Sequence, residues 1–243
     1  MSFFTAEGVS KSFYGNKAVD NVSLRVEKGE IVGLIGANGA GKTTLFNCLS
    51  GYYRPNEGKI TFKSTSIEKM KSHKICQLGM ARTFQIAKPF GDLSVLENVM
   101  IGSYSKLSKK QDAMDFAIKN IEFSGLGGKE NVVARDLNTG DQRRLELARA
   151  LATNPEFLLL DEVMAGLTPS ESVVMTELIA KIRDSGITVL MIEHIMTALM
   201  KLSDRVYALD RGRVIAEGKP FEVASDPLVV STYLGKKGMI ENA

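Results

Sequence analysis

The segment Gly36-Ala37-Asn38-Gly39-Ala40-Gly41-Lys42-Thr43 restricts the fold of this chain more than any other stretch. It fits the spacing G-x-x-x-x-G-K-[ST]. It directly follows the β-branched run at 31–35 (IVGLI) and directly precedes residues 43–49, which read as a helix. Two more apolar runs have the same texture. Residues 157–160 (FLLL) end in Asp161 and Glu162, and residues 187–192 (ITVLMI) end in Glu193 and His194. Continuous rather than alternating hydrophobicity means burial on both faces, as in a parallel sheet covered by helices. The three runs are therefore predicted to be neighbouring strands of one α/β core. Ligands of such sheets bind beyond the carboxyl ends of the strands, where the loop 36–43, Asp161 with Glu162, and His194 are expected to converge.

Around that core the texture changes. Residues 95–154 are rich in helix-compatible stretches (KKQDAMDFAIKNIEF) and poor in strand signals, which predicts an inserted helical lobe. Residues 1–27 alternate apolar and polar side chains, as a small antiparallel sheet does. Residues 235–243 form a polar tail. No apolar run approaches the roughly 18 to 20 residues needed to cross a bilayer, and residues 1–11 lack the basic and then apolar pattern of a signal peptide, so a cytoplasmic location is expected. The 31 Lys and Arg against 28 Asp and Glu leave a net charge of +3, too nearly balanced to call for nucleic acid as a partner. Cys48 and Cys76 are too few for a zinc cluster and read as small structural residues.

The glycine-rich loop predicts a chemistry. Its glycines let successive backbone N–H groups turn inward around phosphate oxygens, while the following helix presents its positive end. Lys42 is then expected on the β- and γ-phosphates, Thr43 on a magnesium ion, and Thr44 beside it against the phosphates. Asp161 is expected to hold the Mg2+ shell, and Glu162 to orient and deprotonate an attacking water. The implied cofactors are ATP and Mg2+, and the implied reaction is hydrolysis. An acidic pair after a strand is common as a solvated turn; coupled to the phosphate loop it points to an NTPase.

Residues 137–151, Leu-Asn-Thr-Gly-Asp-Gln-Arg-Arg-Leu-Glu-Leu-Ala-Arg-Ala-Leu, separate this chain from other phosphate-loop proteins. They resemble the signature loop and helix of the ATP-binding cassette (ABC) family, whose usual opening is L-S-G-G-Q. Asn138 stands for Ser, Thr139 for the first Gly and Asp141 for Gln. The resemblance implies an α/β P-loop NTPase core with a mainly parallel sheet, an N-terminal antiparallel β subdomain and an inserted helical subdomain. It implies one domain, with residues 1–85 and 156–243 forming the nucleotide-binding core and about 86–155 the helical signature subdomain. It also implies a dimer in which Asn138 and Gly140 of one subunit cover the triphosphate of the other. Asn138 can still donate a hydrogen bond, as Ser would, whereas Thr139 replaces a glycine that permits close backbone approach, so a somewhat weakened site is expected.

The resemblance extends over nearly the whole chain. Tyr14 is similar to the aromatic that stacks on adenine; its alternative is packing on its own sheet. Gln85 in GMARTFQ resembles the glutamine that senses Mg2+ and water, and His194 resembles the switch histidine on the γ-phosphate. The loop Ala165-Gly166-Leu167-Thr168 resembles the crossing loop, with Val163 where Pro is usual and Thr168 where Asp or Asn is usual. His73 has no such support and reads as surface. The combination of GMARTFQ, RRLELARAL, A-G-L-T-P and a carboxyl-terminal Tyr233-Leu234-Gly235 most resembles ATPase subunits of branched-chain amino-acid importers. Related chains serve urea or amide transport, lipopolysaccharide export or, more distantly, soluble iron–sulfur assembly. The implied partners are a second ABC ATPase subunit in a homo- or heterodimer, transmembrane permease subunits and, indirectly, a periplasmic or extracellular solute-binding protein. The implied location is peripheral, on the cytoplasmic face of the membrane. Pro89, Phe90 and Leu93 are expected in the groove that receives a permease helix. The DNA-clamp members of the family need long coiled arms, for which the interval 43–161 is too short. A small-molecule kinase would have no use for the signature helix.

Overall fold

The computed structural model describes residues 3–85 and 89–234. The polar tail expected from Gly235 onward lies outside the described residues. In chain order the elements are β1 (Phe4–Phe13), β2 (Asn16–Val26), β3 (Ile31–Ile35), α1 (Lys42–Leu49), β4 (Glu57–Phe62), β5 (Thr65–Ser66), α2 (Ser72–Gln77), β6 (Met80–Arg82), α3 (Val95–Ser103) and α4 (Lys110–Phe123). They continue with α5 (Thr139–Leu151), β7 (Phe157–Asp161), α6 (Pro169–Asp184), β8 (Thr188–Ile192), α7 (Met196–Leu202), β9 (Arg205–Asp210), β10 (Arg213–Gly218), α8 (Pro220–Ala224) and α9 (Pro227–Leu234). They form two compact units, one from residues up to 72 together with those from 188 on, the other from residues 73–187.

The first unit holds the expected antiparallel sheet, in the order β2-β1-β4-β5. Val19, Val22, Leu24 and Val26 of β2 turn inward while Ser23 and Arg25 stay exposed, the period-2 pattern of a half-buried sheet. The same unit carries β3 between β8 and β9, parallel to both, with β10 antiparallel on β9. Every residue of β3 and β8 is buried, as their uninterrupted apolar runs require. Helix α7 lies directly on β3, where a Cβ on Gly33 would stand 2.8 Å from both Leu199 and Ser203. Arg205 bonds Glu30 (2.9 Å) and Glu217 (2.6 Å). The strands β9 and β10 and the helices α8 and α9 escape a reading by periodicity, because β10 is mixed in burial and both helices are short.

The second unit contains the helical lobe. Helices α3, α4 and α5 close around Val95, Val99, Ile121, Leu126, Leu145 and Ala148. A capping box starts α3, with Glu97 N–H donating to Ser94 Oγ at 3.2 Å and Ser94 N–H to Glu97 Oε2 at 2.8 Å. In the same unit β6 runs parallel to β7, Met80 opposite Phe157 and Arg82 opposite Leu159. All five residues of β7 are buried. This parallel pair carries Arg82, Thr83 and Asp161 together.

Candidate nucleotide and catalytic site

The phosphate loop occupies the turn from β3 to α1 in the first unit. Gly36, Gly39 and Gly41 have φ of 152°, 81° and 101°, a backbone course closed to most side chains. A Cβ on Gly41 would overlap the Ala18 carbonyl oxygen, and one on Gly36 the Leu209 carbonyl oxygen. Gly212 N–H donates to Ala40 O at 2.9 Å and Asp20 N–H to Gly212 O at 2.8 Å, clamping the loop from outside. Asn38, Gly39 and Thr43 are exposed, Ala37 and Thr44 half-buried, and Ala40 buried. The buried Lys42 folds back so that Nζ donates to Gly36 O at 2.7 Å and Ala37 O at 3.1 Å. The ammonium is thus held by carbonyls of the loop itself. The first turn of α1 contains no acidic residue of its own.

Tyr14 forms a two-residue hairpin turn with Gly15, at φ 50° and 85°. That geometry matches the twist of the flanking strands but is uncommon for Tyr. The ring is fully exposed, which removes the alternative of packing on its own sheet. His194 is also exposed, just past β8, and His73 is exposed on α2.

In the second unit, Asp161 ends β7. Its Oδ2 accepts from the Arg82 guanidinium at 2.8 Å, both side chains buried, and its N–H donates to Thr83 Oγ1 at 3.1 Å. Arg82 also covers the Phe84 ring at 5.0 Å. Glu162 follows at φ 52°, a left-handed conformation that a non-glycine residue adopts at a cost, and such strain concentrates at functional sites. Its Oε2 accepts from Gln85 Nε2 at 2.8 Å.

The signature segment forms the start of α5. Asn138 is its N-cap, with Oδ1 accepting from Asp141 N–H at 2.8 Å, which leaves the Nδ2 end to donate outward. Thr139 is already helical and exposed, so the missing glycine is not needed for the local backbone. At Gly140 an added Cβ would stand 2.6 Å from Glu171 Oε1, so that carboxylate would have to shift. Glu171 is fixed by its capping box with Thr168, whose N–H donates to Oε2 at 2.8 Å, and these hydrogen bonds hold its carboxyl below the ordinary glutamate range. Asp141, in place of the usual Gln, is buried and bonded to Lys129, with Arg144 at 3.5 Å. Reading the sequence missed the partners of these residues: Arg82 on Asp161, Lys129 on Asp141, and Glu146 on the Phe84 N–H at 2.6 Å. The sequence signal for Arg82 and Glu146 was charge on a segment otherwise destined for the core, and Lys129, half-exposed in a loop, gave none.

The residues fit the implied ligands. Gly36 and Gly41 leave no room for a Cβ, as a backbone cradle for phosphate requires, and within each unit the Thr43 hydroxyl and the Asp161 carboxylate are hard oxygen donors of the kind Mg2+ prefers. Among the described residues no group of three or more His, Cys, Asp or Glu could hold a metal ion.

Comparison with known proteins agrees. Residues 19–165 match the ABC transporter family model. The chain is 41% identical over 245 residues, 94% of it and 96% of the relative, to the high-affinity branched-chain amino acid transport ATP-binding protein LivG of Salmonella typhimurium. It is 38% identical to BraF of Pseudomonas aeruginosa, named for the same transport, with the same two coverages. Among solved structures, an ATP-binding cassette of an ABC transporter in its ADP conformation superposes with a TM-score of 0.88 at 32% identity, covering 97% of this chain and 100% of that one. A dimeric post-hydrolysis cassette bound to ADP and Pi shares the fold, with a TM-score of 0.82 at 24% identity over 89% of this chain and 98% of that one.

Proposed function

The chain belongs to the ABC transporter family of ATP-binding ATPases, and from that premise we propose that it powers an importer of branched-chain amino acids. The likeness to LivG and BraF over 94% of the chain carries the substrate class, since no residue of a cassette need touch the transported solute. It works as a peripheral subunit against transmembrane permease subunits. Among the described residues no helix is long and apolar enough to cross a membrane.

In the first unit, the backbone N–H groups of Gly36 to Gly41 cup the phosphates, and Lys42 exchanges the Gly36 and Ala37 carbonyls for β- and γ-phosphate oxygens. Tyr14, already turned to solvent, stacks on adenine. Thr43 and Asp161 hold Mg2+, with Gln85 contributing through its amide oxygen. When bound, the ion neutralises charge on the transferring phosphoryl group. Glu162 takes the proton from the water that attacks the γ-phosphorus, and the products are ADP and inorganic phosphate. Gln85 orients Glu162 through their hydrogen bond, and His194 contacts the γ-phosphate. Asn138, through Nδ2, and Gly140 serve the site of a second cassette subunit. The Asp141 and Thr139 departures favour a heterodimer with one weakened site.

The test is Glu162→Gln. It keeps the fold and the Gln85 contact but removes the base, so kcat for ATP falls by about 10²-fold or more with ATP affinity kept. In sedimentation with ATP the variant alone stays monomeric and dimerises on addition of its partner cassette; a stable homodimer would reject the heterodimer. Uptake of leucine by reconstituted permease and both cassettes identifies the solute, and uptake of urea or a short amide instead would replace it.

A further inference from the structure

We propose that Glu146 and Arg143, on the helix that follows the signature loop, are positioning residues that set the Gln85–Glu162 pair for hydrolysis. The proposal rests on the assignment of Glu162 as the base. Glu146 Oε1 accepts from the Phe84 backbone N–H at 2.6 Å. The next residue, Gln85, donates Nε2 to Glu162 Oε2 at 2.8 Å. The Glu162 carbonyl accepts from Ala165 N–H at 3.1 Å, and the Ala165 carbonyl accepts from Arg143 NH2 at 3.3 Å. Arg143 and Glu146 stand one turn apart on α5, with NH1 and Oε2 3.7 Å from each other. The contacts close a ring from α5 through Gln85 and Glu162 and back to α5, entirely within the second unit.

Stability does not explain this ring. Both side chains are buried, yet among the described residues neither Glu146 Oε2 nor Arg143 NH1 has a hydrogen-bond partner. Burial raises the Glu146 carboxyl above the ordinary glutamate range, against the opposing pull of the Phe84 N–H and of Arg143 and Arg149. Packed apolar residues often match or exceed a buried ion pair in stability, and incompletely satisfied buried groups call for an explanation. What the pair supplies is geometry. The amide one residue before Gln85 is fixed by Glu146, and the backbone three residues after Glu162 is fixed by Arg143. A displacement of α5 therefore reaches the base from both sides.

Steady-state ATP hydrolysis by the full chain tests this. Glu146→Ala lowers kcat by about tenfold while KM for ATP stays within about twofold, as expected when a base is misplaced and not lost. Glu146→Gln keeps an acceptor oxygen at the same reach and restores kcat to within about twofold, whereas Glu146→Asp, one methylene shorter, does not. Amide exchange at Phe84 and Gln85 rises in the Ala and Asp variants and not in Gln. Unchanged kcat in Glu146→Ala, a KM effect alone, or a Gln variant as slow as Ala overturns the proposal. If Glu146→Ala does not fold, the Asp and Gln variants decide by the same criteria. Failure of the underlying assignment looks different: Glu162→Gln then retains hydrolysis, whatever the Glu146 variants do.

Discussion

Glu162 and Lys42 illustrate how single side chains here are held ready by backbone that other residues could not follow. Glu162 sits at φ 52°, a region that costs a residue with a Cβ about 1–2 kcal/mol, and the fully buried β7 before it supplies the packing that sustains the strain. Lys42 donates to the Gly36 and Ala37 carbonyls, contacts that the proposed nucleotide would replace. Both residues were legible from the sequence because motif spacing names them. Arg82 and Glu146 were not, since their partners Asp161 and Phe84 lie 79 and 62 positions away. The two cysteines show the same contrast in reactivity. Cys48 is buried in α1 and burial pushes its thiol up to about 11, while Cys76 is half-exposed. The thiolate is the reactive form, so at pH 8 one thiol per chain reacts rapidly with an aromatic disulfide reagent and the second only on unfolding. Cys76→Ser removes the rapid phase; two rapid thiols in the native protein would contradict the burial of Cys48.

Helix α5 has to satisfy several neighbours at once. Its first turn carries the Asn138 cap and the Asp141 pairs, its middle carries Arg143 and Glu146, and its last turn packs on α3 at Gly102. At Gly102 an added Cβ would overlap the Arg149 carbonyl oxygen, and backbone cannot step aside as a flexible side chain can. Two effects compete in Gly102→Ala. Alanine gains about 1 kcal/mol in helix propensity, and overpacking costs about 1–3 kcal/mol. With rigid backbone on the other side the packing cost wins. Gly102→Ala is expected to lower Tm by about 2–6 °C for a chain of this size, measured by thermal unfolding, and a raised Tm would show that α3 and α5 can separate freely. The apolar period of α5 was readable from RRLELARAL, but the need for glycine on the facing helix was not, because close approach depends on which two helices meet.

The two compact units divide the proposed work between a phosphate loop in one and the acidic pair, Gln85 and the signature segment in the other. Phe90 gives the molecule a testable outward face. Its ring is exposed, with Arg149 at 5.4 Å, while its backbone is pinned by the fully buried Asn98, which accepts from Phe90 N–H at 2.8 Å and donates to Phe90 O at 3.0 Å. Because the pinning does not involve the ring, Phe90→Glu leaves fold and basal hydrolysis intact. The family resemblance places Phe90 in the groove for a permease helix, and an aromatic anchor at such an interface is worth about 2 kcal/mol or more, so in the assembled transporter the variant is expected to weaken permease binding about thirtyfold and lower solute uptake with it. Loss of basal hydrolysis as well would make Phe90 a folding residue instead. The amino-acid sequence was enough to specify the strand–loop–helix of the phosphate site, the buried strands, the helical lobe and the identity of the acidic pair. Each of these is written in residues adjacent along the chain, through spacing and local hydrophobic pattern. Folding was needed to settle that Tyr14 faces solvent, that Thr139 is exposed while Gly140 sits against the Glu171 carboxylate, and that α5 is tied to Gln85 and Glu162. Those outcomes depend on burial and on partners distant in sequence, which no local pattern encodes.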